Sequence, residues 1–246
     1  ITFADSKGYL SEANFGGLLY TPRFVNDVSQ VQNLTMTNIN IVNVTVYGNG
    51  AAIMAGGNFY LENITFTNYG TETNLADNDY TIGAPIEIYA SNSYQINIKN
   101  INHYNTIKAK KAFLWFKSLG TVSEVTYSPS VSIDGLNINA VVSNISMIYF
   151  DMVNTSVSIK NSVIQNIENL SNSAVYVTNS GDITFSNSQF INNDGTFASD
   201  IRIDSCSDCH IEVINSTFSR PFSDSSSGTL YNKESAIYLN SMGKID

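Results

Sequence analysis

Two apolar residues spaced two apart, then an asparagine, an apolar residue three later and a second asparagine two after that form a ten-residue phrase. It recurs along the whole chain. The first copies are Leu34, Met36, Asn38, Ile41, Asn43; Phe59, Leu61, Asn63, Phe66, Asn68; and Ile96, Ile98, Asn100, His103, Asn105. A degenerate copy, Val131, Ile133, Gly135, Ile138, Ala140, is followed by Val157, Ile159, Asn161, Ile164, Asn166. Then come Ile183, Phe185, Asn187, Phe190, Asn192, and finally Ile211, Val213, Asn215, Phe218, closing on Arg220. The first asparagine position advances by 25, 37, 35, 26, 26 and 28 residues. Self-similarity at that length, enclosing period-two apolar residues, predicts stacked β-coils.

Apolar residues at i and i+2 lie on one face of a strand, so each copy sends one stripe into a shared core. The asparagine that follows sits where the chain must turn. It tolerates left-handed backbone angles and carries both a donor and an acceptor. Stacked on its counterpart in the next coil, each amide can bond those above and below, as in a polar ladder. Two ladders are therefore expected, Asn38, Asn63, Asn100, Asn161, Asn187, Asn215 and Asn43, Asn68, Asn105, Asn166, Asn192. The chain holds 32 Asn, but abundance alone does not fix their register to the apolar pairs.

A second strand is predicted in each coil, at residues 18–20, 52–54, 86–88, 114–116, 148–150, 175–177, 201–203 and 237–239. This gives about eight coils and roughly 38 Å of axis at ~4.8 Å per rung. Insertions at 69–80 and 119–130 are expected to leave as loops. The outward residue of each second strand reads Leu19, Ile53, Glu87, Trp115, Tyr149, Tyr176, Arg202, Tyr238. Trp115, Tyr149, Tyr176 and Tyr238 make a candidate interaction stripe, suited to packing against protein or to sugar stacking. The plainer alternative is the preference of aromatic residues for strands.

The coil phrases, such as residues 173–194 (SAVYVTNSGDITFSNSQFINND), resemble the right-handed parallel β-helices of the pectin-lyase-like superfold, especially Asn-rich extracellular versions from single-celled eukaryotes. The resemblance spans nearly the whole chain. It implies an all-β, right-handed parallel β-helix over residues 1–246 as a single domain, and it implies a search for carbohydrate chemistry, although a fold alone licenses no activity.

Hydrolases of that superfold need paired carboxylates flanking a glycosidic bond. Among outward positions only Glu87 and Arg202 qualify by type, several coils apart, and the Gly-His-Gly and Asp-Asp motifs of the family are missing. No catalytic residue, metal or cofactor is expected. His103 fills an apolar slot of the phrase and is read as a core or turn residue; His210 precedes a strand. The acidic loop Glu72, Asp77, Asp79 and the run Asp200, Asp204, Asp208 lack the oxygen density of a calcium site. Cys206-Ser-Asp-Cys209-His210 matches a haem-attachment pattern formally, yet a lone copy in a β-coil register favours a local disulfide between Cys206 and Cys209, which fits an oxidising compartment.

Charge narrows the partners. Net charge is -9 with only 13% charged residues, and no basic stripe exists for nucleic acid. Lys108, Lys110 and Lys111 are read as a solvated turn. No apolar run approaches a membrane span. Seven Asn-x-Ser/Thr sequons are about what composition alone supplies. Those at Asn43, Asn63 and Asn215 coincide with ladder positions and are discounted, because a glycan needs a free exposed amide. Asn144 and Asn169 are the first expected N-glycan acceptors, with Asn33 and Asn154 after them. The chain starts and stops within a phrase, and open coil ends template pairing, so it is expected either to be a segment of a longer solenoid or fibril-forming chain or to have its ends completed by a neighbouring molecule. The sequence thus predicts a non-enzymatic, secreted structural glycoprotein of a cell-surface coat, fibril or adhesin, self-associating end to end or with neighbouring extracellular proteins. The rival expectation is a carbohydrate-binding or carbohydrate-active β-helix.

Overall fold

A computed structural model describes residues 1–4, 7–8, 16–20, 33–46, 51–56, 58–69, 84–90, 95–104, 107–109, 112–118, 130–139, 141–143, 146–152, 155–169, 172–195, 198–206, 209–219 and 235–240. Every strand among them pairs parallel to its neighbour, and no helix occurs among the described residues. The chain is a parallel β-helix.

The first sheet holds 11 strands. Its rungs begin with the short strand Thr2–Ala4 and the ten-residue strands Asn33–Val42, Asn58–Thr67, Gln95–Tyr104 and Ser130–Asn139. They continue as split pairs: Ser156–Lys160 with Val163–Gln165, Ile183–Ser186 with Gln189–Ile191, and Ile211–Ile214 with Thr217–Ser219. The second sheet stacks eight strands, Gly16–Tyr20, Ala51–Gly56, Ala84–Ala90, Leu114–Ser118, Ile148–Asp151, Val175–Thr178, Ile201–Asp204 and Ile237–Asn240. A small third sheet joins Ile107–Ala109, Val141–Ser143 and Glu168–Asn169.

The apolar stripes of the first two sheets face each other in one core. Like side chains stack on like: Phe116 lies on Phe150 at 4.7 Å, and Phe190 on Phe218 at 5.0 Å. Tyr69, expected to leave in a loop, instead turns inward and is fully buried edge-on to Phe66.

The asparagines behave as their chemistry demands. Asn38, Asn43, Asn63, Asn68, Asn100, Asn161, Asn166, Asn187, Asn192 and Asn215 all hold positive φ, between 48° and 57°. Only Asn105 of the expected set lies outside the described residues. Amide nitrogens donate down the axis: Asn63 to Asn38 (3.0 Å), Asn100 to Asn63 (3.0 Å), Asn68 to Asn43 (2.9 Å) and Asn192 to Asn166 (2.8 Å). The degenerate coil is bridged by sequence neighbours of the missing asparagines. Gly135 keeps the left-handed angle at φ 77°, and Asp134 accepts from Asn161 at 2.8 Å. Asn139 stands in beside Ala140 and accepts from Asn166 at 2.7 Å. A further link, Asn58 to Asn33 at 2.9 Å, marks the strand starts.

Past the left-handed residue, the early coils place Ile39, Ile64, Ile101 and Leu136 in the core. Later coils place Ser162 and Ser188 there, also buried. Each hydroxyl accepts a backbone N–H from the preceding coil: Leu136 to Ser162, Ser162 to Ser188 and Ser188 to Ser216, at 3.1, 3.2 and 3.3 Å. It donates in turn to the carbonyl two residues back, Lys160, Ser186 and Ile214. Because a buried N–H must find an acceptor, the serine replaces a ladder bond, and there the strand splits.

Candidate functional site

On the second sheet, strand register aligns Tyr20, Met54, Glu87, Trp115, Tyr149, Tyr176, Arg202 and Tyr238. This corrects the outward reading of Ile53. Leu19 pairs with Ile53 and Ile53 with Ile86, and both isoleucines are core residues. The strands concerned, GGLLY and AAIMAG, carry no alternation of polar and apolar residues, and the first is shifted between Gly16 and Leu19. Glu87 keeps the outward register but is buried to 1% exposure.

From Trp115 onward the column is continuous. Trp115 and Tyr149 rings lie 5.2 Å apart at 58°, and Tyr149 and Tyr176 repeat the same spacing and tilt. The Arg202 guanidinium then lies 5.1 Å from the Tyr176 ring and 5.9 Å from Tyr238. It ion-pairs with Asp204 and donates to Asn172 Oδ1 at 2.7 Å. The Tyr176 hydroxyl donates to Asp204 at 3.0 Å. Thus the cation is fixed between rings by a carboxylate that two neighbours share. Rings at this separation and tilt pack against one another from rung to rung.

The electrostatics follow from packing. Burial, then the charge of Asp151 and the neighbouring Tyr176, push the Tyr149 phenol up to about 12. Burial and the donated bond to Asp204 also raise Tyr176, against the opposing pull of Arg202. Both phenols are therefore neutral hydrogen-bonding groups at physiological pH. Asp151 accepts from Asn179 at 3.0 Å, and Asn179 and Ser205 close this sheet with the same positive φ as the ladder asparagines.

The remaining candidates are dispersed. His103 is fully buried, edge-on to Phe113 at 4.9 Å, with Nδ1 3.3 Å from the Asn139 carbonyl. Desolvation lowers it to about 4 against the opposing hydrogen bond, so it is a neutral core residue at pH 7. His210 is exposed beside Glu212 at 3.2 Å. Asp200 is buried in a turn and accepts from Asn193 and Ser199. Glu72, Asp77, Asp79 and Asp208 lie outside the described residues. Among the described residues no three His, Cys, Asp or Glu side chains converge as metal ligands. Cys206 and Cys209 form a disulfide, with Cα atoms 5.7 Å apart.

Of the sequon asparagines, Asn169 is in the small third sheet, in register with Ser143. Asn33 is exposed at the foot of its amide link, using Oδ1 as acceptor. Asn144 and Asn154 lie outside the described residues. Asn63 donates its amide nitrogen within the ladder.

The first sheet carries a second patterned column that the sequence reading missed. Register aligns Thr37, Glu62, Lys99, Asp134, Lys160 and Ser186, so charge alternates over four successive rungs. Lys160 and Asp134 approach to 3.5 Å. Its signal was available: each residue immediately precedes the left-handed position of its phrase.

Comparison of this chain with protein-family models, with characterised proteins and with solved structures finds no match.

Proposed function

We propose that this chain is a structural segment of an extracellular β-helical glycoprotein, a building block of a cell-surface coat, fibril or adhesin on a pectin-lyase-like scaffold. The observation that carries this reading is the direction of its side-chain bonding. Amide links, serine hydroxyls and aromatic rings each connect one rung to the next. Such columns stiffen a rod along its axis and suit transmission of load. The Cys206–Cys209 disulfide fits an oxidising compartment, and Asn144 and Asn169 are the proposed principal glycan acceptors. No helix among the described residues is long and apolar enough to cross a membrane.

The second reading is carbohydrate binding along the Trp115, Tyr149, Tyr176 row, favoured by the partial exposure of these rings. The tilted packing of each ring against the next weighs against it, since ring surface given to a neighbour is not free for a sugar. Enzymatic deglycosylation and surface labelling of intact source cells test the first reading. A mobility shift that Asn144→Gln and Asn169→Gln together remove, with labelling from outside, is expected. An unglycosylated, unlabelled protein would overturn it. Glycan-array binding abolished by Trp115→Ala would support the second.

A further inference from the structure

We propose that the outer face of the first sheet is a self-association surface on which a second copy of this chain docks antiparallel, with Glu62 against Lys160 and Lys99 against Asp134 of that copy.

The inference starts from the alternating column. Glu62, Lys99, Asp134 and Lys160 occupy four consecutive rungs in the order negative, positive, negative, positive. None is fully buried; Lys160 and Asp134 side chains are 42% and 30% exposed. Read in reverse, the order becomes positive, negative, positive, negative. A two-fold axis along the strand direction, between the Lys99 and Asp134 rungs, therefore lays the column on its own reversed copy with opposite charges in every pair. This is the self-complementarity that an isologous contact requires.

Alternatives conflict with the same residues. A two-fold along the rod axis sets each charge against its own copy. A slip of one rung places Lys99 against Lys99 and Glu62 against Asp134. Like-charge contacts reject both, and a slip of two rungs keeps only two of the four opposed contacts, so the column favours this direction and register. Flanking residues agree with the chosen arrangement. The next outward column reads Thr35, Tyr60, Asn97, Ser132, Ser158, Thr184. Reversal sets bulky Tyr60 against small Ser158, Asn97 against Ser132 and Thr35 against Thr184, with no charge opposed to its like.

Size sets the strength. Six rungs at ~4.8 Å by five residues at ~3.3 Å give roughly 480 Å² per copy. The total is below the ~1,200 Å² of stable complexes, so the association is weak and salt-sensitive. It does not depend on the structural reading above, since a rod of any function could pair this way.

Sedimentation velocity on the full chain tests it. At low ionic strength the wild-type sedimentation coefficient should rise with protein concentration, and the rise should vanish near 0.5 M salt, where the screening length is only about 4 Å. Lys99→Glu and Asp134→Lys should each sediment as monomer. An equimolar mixture of the two should regain association, because each supplies the charge that the other now lacks. The double variant should also associate, since its own pairs again oppose. Circular dichroism melts verify that each variant is folded, and recovery on mixing separates a lost contact from a damaged rod. A monomeric wild type, association indifferent to either substitution, or a mixture that stays monomeric would overturn the proposal.

Discussion

Asparagine is the residue on which this molecule turns, because it tolerates a left-handed backbone and bonds its own kind in the next rung. In Asn63 both properties operate: φ is 55°, its amide donates to Asn38 and its oxygen accepts from Asn100. Asn63→Ala should cost about 2 kcal/mol, combining left-handed strain with two modest surface hydrogen bonds. Asn63→Gly should cost about half that, since glycine retains the angle. Urea unfolding of the pair measures both. These positions were legible because the backbone demand repeats. The bridging of Gly135 by Asp134 was not, since the partner moves to a neighbouring residue that only the fold brings into reach. His103 was legible by its place in an apolar slot, but its titration required the core around it. Its folded value of about 4 is below the unfolded 6.5, so the unfolded chain binds more protons between them. The contribution is fully present above pH 6.5 and is lost as pH falls toward 4, by roughly 3 kcal/mol. Urea midpoints at pH 7 and pH 4.5 should differ accordingly in the wild type, and His103→Phe should remove that part of the difference.

Within the coil, the sequence showed strands wherever polar and apolar residues alternate and failed where they do not. The second strands at residues 86–88 and onward fall in the predicted register, while Gly16–Tyr20 and Ala51–Gly56 are offset by one residue because glycine and alanine mark neither face. The serine column was written in the dipeptides Asn161-Ser162, Asn187-Ser188 and Asn215-Ser216, where a left-handed asparagine precedes an inward hydroxyl. Ser188→Ala strips the acceptor from the buried Ser162 N–H and should lower stability by about 1–3 kcal/mol. The same change at the exposed Ser219 should cost little, and thermal melts of both variants provide the comparison. Gly195 marks a tighter constraint, since an added Cβ would collide with the carbonyls of Asn172 and Ala198. Burial of Glu87 was not legible, as outward register says nothing of what lies over it.

Across the whole rod, identical chemistry recurs along straight columns: amides at the bends, hydroxyls in the later coils, rings and a clasped guanidinium on one face, alternating charges on another. Contacts of this kind cooperate along one axis, as in other stacked-repeat proteins. The fold was readable because repetition multiplies a weak local signal over the whole chain. Function was less so, since a column that stiffens a rod and a column that meets a partner use the same residues. Electron microscopy of the native, unfractionated source material tests the structural reading most directly. Continuous fibrils with an axial repeat near ~38 Å, the height of about eight rungs, are expected. Isolated short rods in that material would contradict it.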